Sequence, residues 1–311
     1  MTRIETYCAG TPSGDRLNED TYFLAEDGHF LLAAVMDGVT DRLKSDALRI
    51  NFETHFRGEV NGSRYAALVV RESLMTSYWY YATTTPSDLL LDANAALRSR
   101  LESVYGRLNA ADIYQREPAL APYQDDPRYF RLILPATVAT IARINVESNA
   151  LEYAHLGDTE LLLFYKDGRA ERAIVPQRPN AAQGAPDVIQ ETDPQVAKFK
   201  QYGFKHNYTD TYGQTDPSIG VGVVNGMIEA RDYLITGRIN LMDVVGVVVC
   251  SDGFMWPQLD CDCDHMRQLI EAEGLRGYVI HLRAEEASDP ERERYPRPKV
   301  HDDATAIYIQ L

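Results

Sequence analysis

Val244-Val245-Gly246-Val247-Val248-Val249-Cys250-Ser251-Asp252-Gly253 is a dense β-branched run that stops abruptly at a carboxylate and a glycine. Such a run suits a strand buried on both faces. Asp252 then emerges where the backbone leaves the core, rigidly held yet open to water, a placement suited to a hard cation. A second stretch repeats the pattern: residues 30–36 are apolar and end in Asp37-Gly38. The chain has two further Asp-Gly pairs, Asp27-Gly28 and Asp167-Gly168, but these lie between strand-like runs and read as hairpin turns. Only Asp37 and Asp252 close long apolar runs, so only these two are site candidates.

With 311 residues, 45% hydrophobic and 25% charged, the chain has the composition of a globular protein with a large core. The net charge of −15 speaks against general nucleic-acid binding, which needs clustered Lys and Arg. No apolar run reaches membrane-spanning length, and the opening residues are too polar for a secretory signal. Cys8, Cys250, Cys261 and Cys263 form no disulfide framework, which fits a reducing cytoplasm.

In chain order, residues 1–9, 21–25 and 29–36 read as strands, the last two joined at Asp27-Gly28. That hairpin sets Asp20 and Asp37 at one end of a strand pair, with Arg16 close to the same rim. Residues 41–60, 64–82 and 87–108 have helical spacing; Leu89, Ala93, Ala96, Leu97, Leu101 and Val104 make one stripe. The aromatics at 78–81 read as helix packing, and the proline-bearing stretch 110–127 as a surface loop. From residue 129 the period is two, with strands over 131–134, 137–144, 151–155, 160–165 and 169–175. Residues 176–226 are too long and irregular for a plain connection and read as a lid or small subdomain. A short helix is expected within 227–241, helices over 264–273 and 275–287 split at Gly274, and a last strand over 304–309. Helices between runs of antiparallel strands indicate an α+β architecture.

Asn18-Glu19-Asp20, Asp37-Gly38, Gly157-Asp158-Thr159, Ser251-Asp252-Gly253 and Asp302-Asp303-Ala304-Thr305 occur in that order, each acidic group at a strand boundary. Taken singly, each is a turn or a helix cap. Together they resemble the signature of the metal-dependent serine/threonine protein phosphatases (the PPM, or type 2C, family), from Arg16 to Thr305. The resemblance implies a four-layer αββα sandwich, two antiparallel β-sheets flanked by helix pairs, formed by residues 1–311 as one domain with a variable flap around 176–226. It implies two Mg²⁺ or Mn²⁺ ions: Asp37 bridging them, Glu19 and the Gly38 carbonyl completing one shell, Asp252 and Asp302 holding the other ion. Asp20 would support the site through water, Asp158 would serve a weaker third metal, and Arg16 would grip the substrate phosphate. A hydroxide shared by the two ions would attack phosphorus, and the partner would be a phosphorylated protein, the target of a Ser/Thr kinase. An all-oxygen donor set also favours Mg²⁺ or Mn²⁺ over zinc on its own chemistry, and an always-charged guanidinium fork suits phosphate.

The sequence departs from the family pattern in places. Val39-Thr40 follow Asp37-Gly38 where many members have His or Met, Arg16 stands one residue nearer the Glu-Asp pair, and Trp256 takes the place of a further acid. Two alternatives stay open: a catalytically idle relative acting as a binding module, and a phosphatase of small metabolites. Cys261-Asp262-Cys263-Asp264-His265 lacks a second Cys/His pair and reads as thiols in a loop. His155 reads as a packed strand residue, and residues 292–299, of mixed charge, as a solvated loop.

Overall fold

A computed structural model describes residues 3–14, 16–39, 45–56, 60–77, 83–177, 206–257, 263–295 and 299–311. Thr40, the aromatics at 78–81, Cys261, Asp262 and residues 178–205 of the expected flap lie outside these.

Two five-stranded antiparallel sheets form the centre. One has the order β1-β10-β9-β6-β7, made of β1 (Arg3–Ala9), β10 (Ala304–Gln310), β9 (Val244–Cys250), β6 (Glu160–Tyr165) and β7 (Ala170–Arg172). The other has the order β2-β3-β4-β5-β8, made of β2 (Thr21–Glu26), β3 (Phe30–Gly38), β4 (Thr137–Asn145), β5 (Ala150–Leu156) and β8 (Ile235–Asn240). Strand alternation builds the layers. Leu31, Ala33 and Val35 of β3 meet Val247 and Val249 of β9 and Ile307 and Ile309 of β10 in the core between the sheets. The intervening Leu32, Ala34 and Met36 face the helices α1 (Asp46–His55), α2 (Gly62–Thr76), α3 (Pro86–Tyr105) and α4 (Ala110–Arg116). Val248, Cys250, Ala306 and Tyr308 face α5 (Cys263–Ala287) on the opposite side. The expected αββα sandwich is therefore present.

Helix α5 is broken at Gly274, whose φ of 73° lies in the left-handed region. The Glu5 carboxylate on β1 accepts from the Leu275 amide at 2.9 Å and so starts the second arm.

Several expected elements differ. The first helix begins at Asp46 because Ser45 caps it, its hydroxyl accepting from the Leu48 amide at 3.0 Å. Residues 110–127 are no loop: α4 and a 3₁₀ turn over Pro118–Tyr123 bury Ile113 and Leu120 completely. Residues 131–133 belong to a 3₁₀ helix, Pro127–Ile133, started by a proline where no amide is needed, and Leu134 caps its end. Tyr129, Phe130, Leu132 and Ile133 all enter the helix-side core, so the period of two that suggested a strand has no second face to serve. Within 227–241, a 3₁₀ helix over Ile228–Tyr233 gives way to β8. Residues 206–226 are irregular but anchored. The Asn94 side chain on α3 donates to the Met227 carbonyl at 2.9 Å and accepts from the Gly226 amide at 2.9 Å, and Thr137 bridges Val224.

Candidate active site

The site lies at one end of the gap between the sheets, where the inward-facing register changes from apolar to acidic. On β3, Leu31, Ala33 and Val35 point between the sheets, and Asp37 continues the same alternation. On β2, Tyr22 and Leu24 do so, and Asp20 precedes them in step. Thr21 pairs with Met36, so Asp20 and Asp37 follow as the next opposed positions. The two carboxyls are close enough that Asp20 raises the pKa of Asp37.

Burial, reinforced by Asp20, Asp252, Asp158 and Asp302, holds the Asp37 carboxyl well above the usual carboxylate range. Asp20 is raised to about 8, first by burial and also by Asp303 and Asp252, against a hydrogen bond from Ser251. One of its oxygens, Oδ2, is buried without a hydrogen-bond partner. Buried carboxylates that repel one another and leave an oxygen unsatisfied are costly unless positive charge offsets them.

Close backbone approach brings the distant segments together. A Cβ on Gly253 would stand 1.9 Å from the Asp303 carbonyl oxygen and 3.0 Å from the Asp302 Cβ, so only glycine lets the turn after β9 touch the turn before β10. A Cβ on Gly38 would lie 2.8 Å from the Glu19 Cβ. Gly157, with φ of 96°, turns the chain tightly over Val138 and delivers Asp158.

Hydrogen bonds then fix the ring. The Asp303 carboxylate accepts from the Glu19 amide at 2.7 Å and the Thr11 amide at 3.2 Å. Asn61, the cap of α2, donates from its side chain to the Glu19 carboxylate. The Thr137 hydroxyl donates to the Asp37 carbonyl at 2.7 Å. Arg283 of α5 donates to the Asp302 carbonyl at 2.7 Å, and its guanidinium also pairs with Glu286, which His301 contacts at 2.7 Å. Lys299 Nζ donates to Asp302 Oδ1 at 2.7 Å.

A cleft of about 630 Å³ opens over this end of the sandwich, lined by Arg16, Glu19, Asn61, Lys299, Asp302 and Asp303 among others. The exposed Arg16 thus stands on the same rim as Glu19 and Asp302. Asp37, Asp20, Asp158 and Asp252 lie beneath, within electrostatic reach of one another.

Among the described residues, no three His, Cys, Asp or Glu side chains converge as a finished ligand set. The chemistry of the donors still fits a hard divalent cation: they are carboxylate oxygens, crowded, and unsatisfied at Asp20 Oδ2.

Asp303, Asn61 and Lys299 are the positions that sequence reading passed over. Asp303 stood in a quoted motif without a role, Asn61 fell unremarked between two helical runs, and Lys299 was absorbed into the solvated 292–299 run. Trp256 is buried against His265 and Tyr278, so the place of the family's further acid is filled by core packing.

No established family profile and no curated protein matches the sequence. Among solved structures, the chain is similar to the photosystem II phosphatase PBCP at 15% identity and a TM-score of 0.54, covering 100% of this chain and 99% of that one. It is similar to a bacterial serine phosphatase at 12% identity and a TM-score of 0.52, covering 100% and 98%. It is also similar to RsbX in complex with magnesium at 13% identity and a TM-score of 0.50, covering 100% of both. The chain has the fold of the metal-dependent serine/threonine phosphatases, as its motifs implied.

Proposed function

We propose that the chain is a Mg²⁺- or Mn²⁺-dependent phosphatase of phosphoserine and phosphothreonine in proteins. The observation that carries this is the half-buried Asp37 carboxyl surrounded by Asp20, Asp158, Asp252 and Asp302 beneath a cleft rimmed by Arg16. The fold likeness supports it, and RsbX carries magnesium on the same fold.

Asp37, Glu19 and the Gly38 carbonyl would hold one ion and Asp37, Asp252 and Asp302 the other; Asp20 would support the set, and Asp158 would serve a weaker third ion. Bound there, the ions supply a nucleophilic water at neutral pH and neutralise charge on the phosphoryl group. The remaining work falls to the chain. Arg16 orients the phosphate with a guanidinium fork. Asp303 and Asn61 keep Glu19 in place, and Gly253 keeps Asp252 against Asp302. The Val39 position offers no proton donor, so the leaving serine or threonine oxygen takes its proton from water.

In this reading residues 1–311 act as one domain. The substrate is a phosphoprotein made by a Ser/Thr kinase. We place the activity in the cytoplasm, consistent with the free thiols of Cys8, Cys250 and Cys263; among the described residues, no helix is long and apolar enough to cross a membrane.

The test is hydrolysis of a phosphoserine peptide and of an aryl phosphate with Mn²⁺. EDTA and Asp37→Asn should each abolish turnover; activity that survives both overturns the proposal. The Lys299 ammonium on Asp302 favours a second reading, an idle binding module in which a side chain replaces the cation. Mn²⁺ titration separates the two, because such a module takes up no pair of ions.

A further inference from the structure

Lys299 Nζ lies 2.7 Å from Asp302 Oδ1, and its charge is felt by Asp37 and Glu19 as well. Asp302, Asp37 and Glu19 come from three separate segments and are the same groups to which the phosphatase reading gives metal ions. The Lys299 and Asp302 side chains are about one-third exposed, at 31% and 35%. An isolated pair so exposed contributes little, but this ammonium faces several carboxylates, two of them in a site where Asp37 and Asp20 are already crowded. It is a compact point charge on a flexible stem and can be carried in or out of the cluster by rotation of its own side chain. The guanidinium of Arg283 takes the Asp302 carbonyl, while Asp302 Oδ1 accepts from Lys299 and from the Asp303 amide at 3.0 Å.

We propose that Lys299 is a tethered counter-ion that sets the metal affinity of the Asp302 side of the site. With no divalent ion bound, the ammonium neutralises Asp302 and the carboxylates beside it. A divalent ion entering there displaces it into the cleft, and that displacement weakens binding. Lys299 is a positioning residue in this role, since it acts on metal uptake through Asp302. The proposal rests on the phosphatase reading of the carboxylates as metal ligands.

Calorimetric titration with Mn²⁺ and thermal melts in EDTA test it on the full chain, with Lys299→Met and Lys299→Arg alongside the wild type. Removing a unit charge beside the cluster should tighten Mn²⁺ binding roughly tenfold at low ionic strength, a modest part of the contact Coulomb energy at a protein surface. K299M should also melt at a lower temperature than wild type in EDTA and at the wild-type temperature in saturating Mn²⁺. K299R should keep the wild-type values in both. K299Q, polar and uncharged, takes the place of K299M if the methionine variant does not fold. If wild type takes up Mn²⁺ and the uncharged variants bind it equally or more weakly, the role of Lys299 is overturned and the phosphatase reading stands. A wild type that takes up no Mn²⁺ overturns both.

Discussion

Asp20 and Asp37 face each other one step beyond the paired Thr21 and Met36, two carboxyls at the open end of a single hairpin. Without a cation the arrangement is costly, because Asp20 raises the affinity of Asp37 for a proton. The hairpin therefore holds a repulsion that a bound cation would relieve.

Asp37→Asn removes one of these charges without changing shape. The metal-free variant should melt roughly 1.5–3 °C above wild type, the size expected for a gain of about 1–2 kcal/mol in a chain of this length. It should also lose the stabilisation that Mn²⁺ gives wild type, and lose turnover by at least about 100-fold. Paired melts with EDTA and with Mn²⁺ check the first two expectations, and a phosphopeptide assay the third.

Asp303→Ala releases the Glu19 and Thr11 amides, each bonded to a carboxylate. Two hydrogen bonds to a charged group, each worth about 1.5–3 kcal/mol, give an expected loss of about 2–4 kcal/mol once partial rehydration is allowed for. Urea denaturation measures it. The Mn²⁺ concentration for half-maximal activity should rise as well, because Glu19 loses its tether.

Gly253→Ala and Gly168→Ala form a contrasting pair. At Gly253 a methyl group would collide with the Asp303 carbonyl at 1.9 Å, which must push the two ligand turns apart. Activity should fall at least about tenfold even where the protein folds. At Gly168, with φ of 98° and open space around it, alanine meets only backbone strain, about 1–2 kcal/mol. Its kcat should stay at the wild-type value, and steady-state kinetics on both variants make the comparison.

His155 supplies a pH dependence. It is fully buried, accepts from or donates to the Thr140 hydroxyl at 2.8 Å, and meets the Gly157 carbonyl at 2.8 Å. Burial lowers its pKa from 6.5 to about 4, only partly opposed by the Gly157 carbonyl. Below pH 6.5 the unfolded chain takes up a proton that the native state refuses until about pH 4. The stability tied to His155 is thus complete above pH 6.5 and falls by up to about 3 kcal/mol as the pH drops toward 4. Unfolding free energies from urea denaturation of wild type and His155→Gln should converge by about that amount between pH 7 and 4.

The central strands were legible because β3, β6, β9 and β10 combine β-branched or aliphatic runs with sharp glycine or aspartate ends. Asp37 and Asp252 stood out for the same reason, each standing where such a run stops, whereas Asp302 was picked out only through the family resemblance. Gly274 broke its helix as expected, since few other residues enter the left-handed region there. The 110–133 stretch was misread because its prolines begin 3₁₀ turns as readily as they break helices, and because burial on a helical floor leaves no alternation to detect. Lys299 and Asn61 had no signature at all. Their importance comes from a contact with Asp302 and another with Glu19, and linear spacing does not encode either.

The sheet order β1-β10-β9 seats the first strand beside the last. During synthesis β1 waits for its hydrogen-bonding neighbour until nearly the whole described chain has emerged, and Glu19 waits with it for the Asp303 carboxylate. A nascent polypeptide stopped before Ala304 has an open sheet edge and no closed ring of acids. The ring of acids therefore closes in one step, when β10 enters between β1 and β9.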